Sequence, residues 1–150
     1  MKTLVLYASK YGMTKKIANI VVRHRTNVHL FNIKKFTGSL NDYDEIILGT
    51  PVYAGTINKD IKKILNSYKS ELLSKKLSVF LVGMNPDNEN EVIKMNFDEE
   101  IINHANIKYT GGAFQFEKMN FLFKMIVKKI AKTDQSQEMI LHDNIDFLLH

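Results

Sequence analysis

Three stretches of the chain, TLVLY, EIILG and LSVFLVG, are almost entirely apolar and rich in β-branched residues. Nearly continuous apolar runs are typical of parallel strands, which helices cover on both faces of the sheet. Between these runs, apolar residues recur every three or four positions, which is the spacing of one face of an α-helix. The alternation predicts an α/β fold, in which a doubly wound parallel sheet has helices on both faces.

The predicted elements follow one another in a βαβαβ order. Strands are predicted at residues 3–7, 28–33, 45–49, 77–83 and 107–116, and helices at residues 14–25, 57–68 and 91–104. The polar stretch 34–42 is predicted as a surface connection, and residues 143–150 as no more than a short closing helix. Since 150 residues is an ordinary size for one hydrophobic core, we expect a single domain over residues 1–150.

The chain contains no cysteine, which excludes disulfides, thiolate metal sites, iron–sulfur clusters and cysteine nucleophiles. Any redox chemistry must therefore come from a bound cofactor. The five histidines lack metal-binding spacing, so no metal site is predicted. No nucleic-acid-binding motif accompanies the lysines, so no nucleic-acid partner is expected.

The formal net charge of +5 is compatible with an anionic ligand, an acidic protein partner or a membrane surface, and it selects none of them. No run of about 18 apolar residues is present that could cross a bilayer, and the amino-terminal stretch becomes polar too early for a signal peptide. We therefore expect a cytoplasmic protein.

The loop after the first predicted strand consists of Ser9, Lys10, Tyr11, Gly12, Met13 and Thr14. In a doubly wound sheet, ligands bind outside the carboxyl ends of the strands, so this loop is a candidate site. Gly12 would allow a tight turn, and the backbone amides with the hydroxyls of Ser9 and Thr14 could surround a phosphate where a helix begins. An ordinary helix cap is an alternative explanation, because Ser and Thr are preferred there in any case.

Other phosphate-binding motifs are absent from the sequence. It has neither the P-loop pattern nor G-x-G-x-x-G, which weakens the case for nucleoside triphosphates and NAD. A phosphorylation-receiver domain would need an aspartate at the end of the third strand, where this chain has Gly49 and Thr50. The identity of a phosphate ligand therefore depends on the other loops at this edge.

Two further loops are predicted at the same edge of the sheet. The second consists of Thr50, Pro51, Val52, Tyr53, Ala54 and Gly55, and the third of Gly83, Met84 and Asn85. The ring of Tyr53 could support a planar ring system, and the amides of the third loop could meet its polar edge. Alternatively, Tyr53 belongs to the core, and the acidic residues at 87–91 merely suit the start of a helix.

Together, the Ser-x-x-Gly-x-Thr loop, the TPVYAG segment and the third loop resemble the flavodoxin family over residues 1–132. The resemblance implies a five-stranded parallel sheet in the order 2-1-3-4-5 and a non-covalently bound FMN. It also implies that residues 9–14 hold the phosphate and that residues 50–55 and 83–85 border the isoalloxazine. The implied partner is a redox protein or a small-molecule electron donor or acceptor. The chain departs from the family at Tyr11, where a further Ser or Thr is usual, and in its basic charge.

The segment GGAFQFEKMNFLFKMIVKKIAK, at residues 111–132, resembles a narrower group, the flavodoxin-like menaquinone-dependent protoporphyrinogen dehydrogenases. That resemblance implies an FMN enzyme at a membrane, although this chain lacks the longer basic insertion of those enzymes. Phe121 and Met125 lie among lysines on the face of the predicted helix opposite its apolar stripe, so they could touch a membrane interface or an acidic partner. A solvated helix with two exposed hydrophobic residues is the simpler interpretation.

The sequence leaves three hypotheses open. The first is an electron carrier that works through FMN, with no side chain assigned a catalytic role. The second is a porphyrinogen or quinone oxidoreductase at a membrane surface. The third, from a different class, is a non-redox module that binds another phosphate compound or a protein.

Overall fold

The computed structural model describes residues 1–10, 12–83, 85–114 and 137–149. The strands within these residues are β1 (Thr3–Tyr7), β2 (Val28–Asn32), β3 (Glu45–Tyr53), β4 (Thr56–Ile57), β5 (Lys76–Val82), β6 (Asn106–Phe114) and β7 (Gln137–Ile140). The helices within them are α1 (Met13–Arg23), α2 (Lys59–Ser67), α3 (Lys69–Leu73), α4 (Glu89–Asn96), α5 (Glu99–His104) and α6 (His142–Leu149).

The strands form a sheet in the order β2-β1-β3-β5-β6-β7, and β4 pairs with β3 as the return arm of a hairpin. The first five strands in this order run parallel, whereas β7 runs antiparallel to β6 at one edge. The five strands expected from the sequence therefore have the expected order and direction. Two strands were not predicted: β4, which has only two residues, and β7, which begins with the polar pair Gln137 and Glu138.

Helices cover both faces of this sheet, and each face has its own core. On one face, α1 and α6 bring Ile17 and Leu148 against Val5 of β1. On the other face, α2, α3, α4 and α5 contribute residues such as Ile61 and Leu72 to a core that includes Leu4 of β1. Because neighbouring residues of β1 enter opposite cores, the strand is almost entirely apolar, as the sequence pattern indicates.

The helix predicted at residues 91–104 is in fact two helices, α4 and α5. The break falls at Phe97, which has extended backbone angles (φ −125°, ψ 141°), and at Asp98, the residue that precedes the first turn of α5. Phe97 is buried in the core beside α4. Both halves carry helical spacing, so periodicity alone did not reveal the break.

Strand β3 is longer than predicted and extends from Glu45 to Tyr53. Its extra residues are paired, because Thr50 and Pro51 face β5 and the last two residues pair with β4. The turn of the hairpin is therefore confined to Ala54 and Gly55, which both have positive φ, at 51° and 78°. Most of the predicted second loop is consequently strand.

The lysine-rich segment that contains Phe121 and Met125 lies outside the described residues, so its proposed membrane contact stays a prediction. Among the helices that the structure does describe, none is long and apolar enough to span a bilayer.

Candidate functional site

The first loop turns sharply at Gly12, whose φ of 96° lies in the region that glycine adopts most readily. Ser9 Oγ accepts a hydrogen bond from the Gly12 N–H at 3.0 Å, which closes the loop on itself. Helix α1 then begins at Met13, and its first bond runs from the Lys16 N–H to the Gly12 carbonyl at 3.0 Å. Because first-turn amides have no acceptor within their own helix, this end of α1 favours an anion.

Thr14 lies in this first turn and is only 2% exposed. Within the described part of the chain, its hydroxyl has no hydrogen-bond partner. A buried hydroxyl without a partner is costly, and such groups call for an explanation in a bound molecule or water. Thr14 is therefore a donor that a ligand at the start of α1 would satisfy.

The hairpin formed by β3 and β4 is anchored at its base by Thr50. The Thr50 hydroxyl is fully buried, accepts a hydrogen bond from the Asn58 N–H at 2.9 Å and donates to the Pro51 carbonyl at 3.0 Å. The Asn58 side chain in turn accepts from the N–H groups of Asp60 and Ile61 and caps α2. The hydroxyl of Thr50 thus serves the hairpin, and its contact with a cofactor stays a prediction.

The tip of the same hairpin is held by Asn96, a residue that the sequence analysis missed. The side-chain amide of Asn96 donates to the Gly55 carbonyl at 2.8 Å, and its oxygen accepts from the Ile57 N–H at 3.2 Å. These partners lie 41 and 39 residues away along the chain. No local pattern in the sequence could therefore have identified Asn96.

The third loop adjoins the hairpin from the β5 side. The Gly83 N–H donates to the Gly111 carbonyl at 2.7 Å, and the position of a Cβ at Gly83 lies 3.5 Å from the Val52 carbonyl oxygen. A side chain there would also come within 3.1 Å of the Tyr109 ring. Asn85 then leads into a 3₁₀ turn, Pro86–Asn88.

Tyr109 supports the third loop from β6. Its N–H donates to a Glu89 side-chain oxygen at 3.0 Å, and its hydroxyl donates to the Asn88 side-chain oxygen at 3.3 Å. Burial, and secondly the charge of Glu89, raises the pKa of Tyr109 to about 12. The phenol is therefore a protonated donor at neutral pH. Glu89, the first residue of α4, also stabilises β6 by accepting the hydrogen bond from the Tyr109 N–H.

A cleft of about 460 Å³ opens between the first loop and the hairpin. Its walls come from residues 8–10, 32–34, 51, 53 and 56–58. Its volume falls within the roughly 300–1,000 Å³ typical of small-molecule sites. The segment at 32–34, which adds the exposed cation of Lys34, was not expected from the sequence.

The structure therefore brings Ser9, Lys10, Pro51 and Tyr53 together around one cleft. The third loop does not line this cleft, because it lies on the opposite side of β3. Tyr11 and Met84 lie outside the described residues. The arrangement as a whole pairs an anion-favouring helix start with an aromatic hairpin at the carboxyl edge of the sheet.

This strand order, with candidate ligand loops where β1 and β3 end, defines a doubly wound α/β protein of flavodoxin-like topology. The chain belongs to the flavodoxin domain family, whose model matches residues 4–140.

Known proteins similar to this chain include a flavodoxin from Clostridium saccharobutylicum, which is 24% identical over 159 residues covering 97% of this chain and 95% of that protein. Among solved structures, a flavoprotein in complex with FMN from Lactobacillus acidophilus NCFM has a TM-score of 0.53 and 23% identity, covering 72% of this chain and 90% of that one. A Fusobacterium nucleatum flavodoxin bound to flavin mononucleotide has a TM-score of 0.53 and 17% identity, covering 74% and 70%. At these identities the two structures show a shared fold.

Proposed function

We propose that this protein binds FMN without a covalent bond and transfers electrons through it. Support comes from its membership of the flavodoxin family and from the FMN bound in two proteins of similar structure. The flavin would supply the electron-transfer chemistry, while the chain supplies binding, orientation and electrostatic surroundings. No side chain is assigned as an acid or base.

The proposed phosphate site is the first loop, formed by Ser9, Lys10, Tyr11, Gly12, Met13 and Thr14. The observation that carries this proposal is the buried Thr14 hydroxyl, which lacks a partner in the described chain at a helix start that favours an anion. A phosphate there would accept a hydrogen bond from this hydroxyl and from the free amides of the first turn.

The proposed ring site is the hairpin segment Thr50, Pro51, Val52, Tyr53, Ala54 and Gly55, together with the third loop at Gly83, Met84 and Asn85. Tyr53 is half-buried and offers aromatic surface next to the cleft. Asp87, Glu89 and Glu91, which follow the third loop, would disfavour negative charge on a reduced flavin and so lower its reduction potential.

A comparison of FMN with riboflavin tests the phosphate site, because riboflavin lacks the phosphate. The purified protein should quench FMN fluorescence and bind FMN more tightly than riboflavin. Thr14→Val should weaken FMN binding roughly 10- to 100-fold, since a hydrogen bond to a charged group contributes about 1.5–3 kcal/mol, and should leave riboflavin binding unchanged. The matched control is Thr37→Val, at an exposed threonine outside the site.

Two results would contradict this proposal. If FMN fluorescence stays unquenched in the presence of excess protein, the protein does not bind the flavin. If Thr14→Val leaves FMN binding intact, the phosphate does not occupy the first loop, and a non-redox binding module becomes the better hypothesis.

We infer that the electron partner is a redox protein or a small-molecule donor or acceptor. The resemblance to protoporphyrinogen dehydrogenases rests mainly on residues 115–132, which the structure does not describe, so it supports no assignment. The membrane contact through Phe121 and Met125 remains testable by flotation with anionic liposomes. If the contact exists, replacing both residues by Ser should abolish flotation. The contact is refuted if the parent protein does not float, or if the Ser variant floats as the parent does.

A further inference from the structure

We propose that Asn96 is a positioning residue that holds the β3–β4 hairpin in the conformation that contacts the cofactor. This inference rests on the proposed function, since it assigns the hairpin to the flavin. Asn96 is buried, and its side-chain amide group is fully used. Its two N–H protons go to the carbonyls of Gly55 (2.8 Å) and Val92 (2.7 Å), and its oxygen accepts from the Ile57 N–H (3.2 Å).

The hairpin needs such support because its own pairing is slight. Strand β4 contributes only two register pairs, Val52 with Ile57 and Tyr53 with Thr56. A short two-stranded ribbon of this kind is at best marginally stable by itself. The turn also places Ala54, a non-glycine residue, at a φ of 51°, in a region that such residues seldom adopt.

Asn96 supplies what the turn lacks, because it binds both sides of it. One of its hydrogen bonds is to the carbonyl of Gly55, inside the turn, and another is to the N–H of Ile57, on the returning strand. The third hydrogen bond, to Val92 in the preceding turn of α4, fixes the orientation of the amide. The position of the hairpin tip, and with it that of Tyr53, therefore depends on α4.

Helix α4 also connects the two loops proposed to border the flavin ring. It begins at Glu89, directly after the turn that follows the third loop, and it ends at Asn96. A displacement of α4 would therefore move the third loop and the hairpin together. Asn96 is the contact through which the hairpin follows the helix.

The test compares two Asn96 variants with a core control. Asn96→Ala removes all three hydrogen bonds, whereas Asn96→Asp keeps the acceptor for Ile57 but turns a second oxygen toward the carbonyls of Gly55 and Val92. Leu72→Val is the control, since it removes a methylene group from the core on the same face of the sheet, at a residue of α3, and leaves the Asn96 amide unchanged. Three measurements apply to each protein: affinity for FMN and riboflavin, visible circular dichroism of the bound flavin, and hydrogen exchange at the Ile57 amide.

We expect Asn96→Ala to weaken FMN and riboflavin binding alike, by about fivefold or more, because it disturbs the ring contact and leaves the phosphate loop intact. Its flavin dichroism should change, and Ile57 should exchange faster. Asn96→Asp should also reduce the affinity for both flavins, but its remaining acceptor should keep the Ile57 amide protected from hydrogen exchange. This variant serves as the test if Asn96→Ala does not fold. Leu72→Val should leave flavin affinity and dichroism as in the parent protein.

The inference is overturned if Asn96→Ala binds both flavins as tightly as the parent does. It is also overturned if Leu72→Val reduces the affinity for both flavins as much as Asn96→Ala does. Failure of the parent protein to bind any flavin would instead contradict the proposed function. In that case hydrogen exchange still tests whether Asn96 holds the hairpin. If the Ile57 amide exchanges at the same rate in Asn96→Ala as in the parent, Asn96 does not hold it.

Discussion

The ring of Phe80 fills the space that a side chain at Gly49 would occupy. The two residues are register partners on β3 and β5, and a Cβ on Gly49 would come within 2.1 Å of the tip of the Phe80 ring. Phe80 is fully buried, so its ring has no open space to enter. This fit lies directly before Thr50, and it sets how the hairpin-bearing end of β3 packs on the sheet.

Gly49→Ala should therefore destabilise the protein, by about 1–3 kcal/mol as is usual for overpacking. Phe80→Leu should relieve the clash in the double variant, so that the two changes together cost less than their sum. Urea unfolding followed by circular dichroism measures both effects. Additive losses in the double-mutant cycle would show that the two positions do not meet.

Gly12→Ala should weaken FMN binding more than riboflavin binding. A Cβ at Gly12 would meet no atom within 4 Å, so the penalty comes from its φ of 96° rather than from a clash. A non-glycine residue with left-handed backbone angles costs roughly 1–2 kcal/mol. If the loop relaxed to avoid this strain, the backbone amides proposed to bind the phosphate would move.

Two companion variants make the Gly12 test specific. Gly12→Asn should retain more FMN affinity than Gly12→Ala, since Asn adopts left-handed angles more readily. Gly55→Ala, in the hairpin turn, should affect FMN and riboflavin equally. Equal loss of both flavins in Gly12→Ala would contradict the assignment of the phosphate to the first loop.

Arg25→Met should destabilise the fold, because the buried carboxylate of Glu45 would lose its buried ionic partner and keep only the exposed ammonium of Lys76, 3.6 Å away. The two side chains form an ion pair at the amino-terminal edge of the sheet and are 9% and 2% exposed. Arg25 also donates to the Leu148 carbonyl at 2.7 Å, and the Thr3 hydroxyl donates to Glu45 at 3.0 Å. Breaking a buried pair from one side typically costs about 3–5 kcal/mol in the free energy of unfolding.

Two comparisons separate burial from charge in this experiment. The double variant Arg25→Met with Glu45→Gln should lose less stability than Arg25→Met alone, because no buried carboxylate is left without its buried partner. Lys69→Met, which breaks surface pairs to Asp98 and Glu100, should change stability little. An equal loss in all three variants would refute the special role of the buried pair.

The phenol of Tyr109 should make stability depend on pH in the alkaline range. Its pKa is about 12 in the folded protein, because of burial and then the charge of Glu89, against about 10 in an unfolded chain. The folded state thus binds this proton more tightly. Its contribution is present below about pH 10 and is lost as the pH rises toward 12.

Tyr109→Phe should therefore lose less stability than the parent between about pH 10 and pH 12. The ultraviolet absorbance titration should also lack the ionisation step near the pKa of about 12. Tyr43→Phe is the comparison variant, because burial and then Asp42 also raise the pKa of Tyr43, and it should leave that step in place. A step unchanged by Tyr109→Phe would show that another group produces it.

Much of the fold was predictable because its signals are local. Strand β1 matches its predicted bounds, since Leu4 to Tyr7 enter the two cores in alternation and all five residues of the strand are buried. The tight turn at Gly12 was also predicted locally, because glycine is the residue that adopts its φ of 96° most readily. The expected start of α1 differs from the observed one by a single residue.

The remaining features depend on contacts between distant residues, which periodicity does not encode. The side chain of Phe97 interrupts a helical pattern by entering the core. The hydroxyl of Thr50 binds the N–H of Asn58, eight residues away along the chain, at the base of a hairpin that the sequence did not predict. The cleft gains residues 32–34 because β2 ends beside β1, which depends on the strand order.

The α/β class and the positions of the parallel strands follow from the sequence, because hydrophobic runs and turn residues act over a few neighbouring positions, whereas the strand order was implied by the resemblance to flavodoxins. The burial of Thr14, the close fit of Phe80 against Gly49, and the hydrogen bonds from Asn96 to the hairpin follow only from the folded structure. These features arise where segments distant in sequence pack together, and there hydrogen bonding and steric fit act between residues that no local pattern connects.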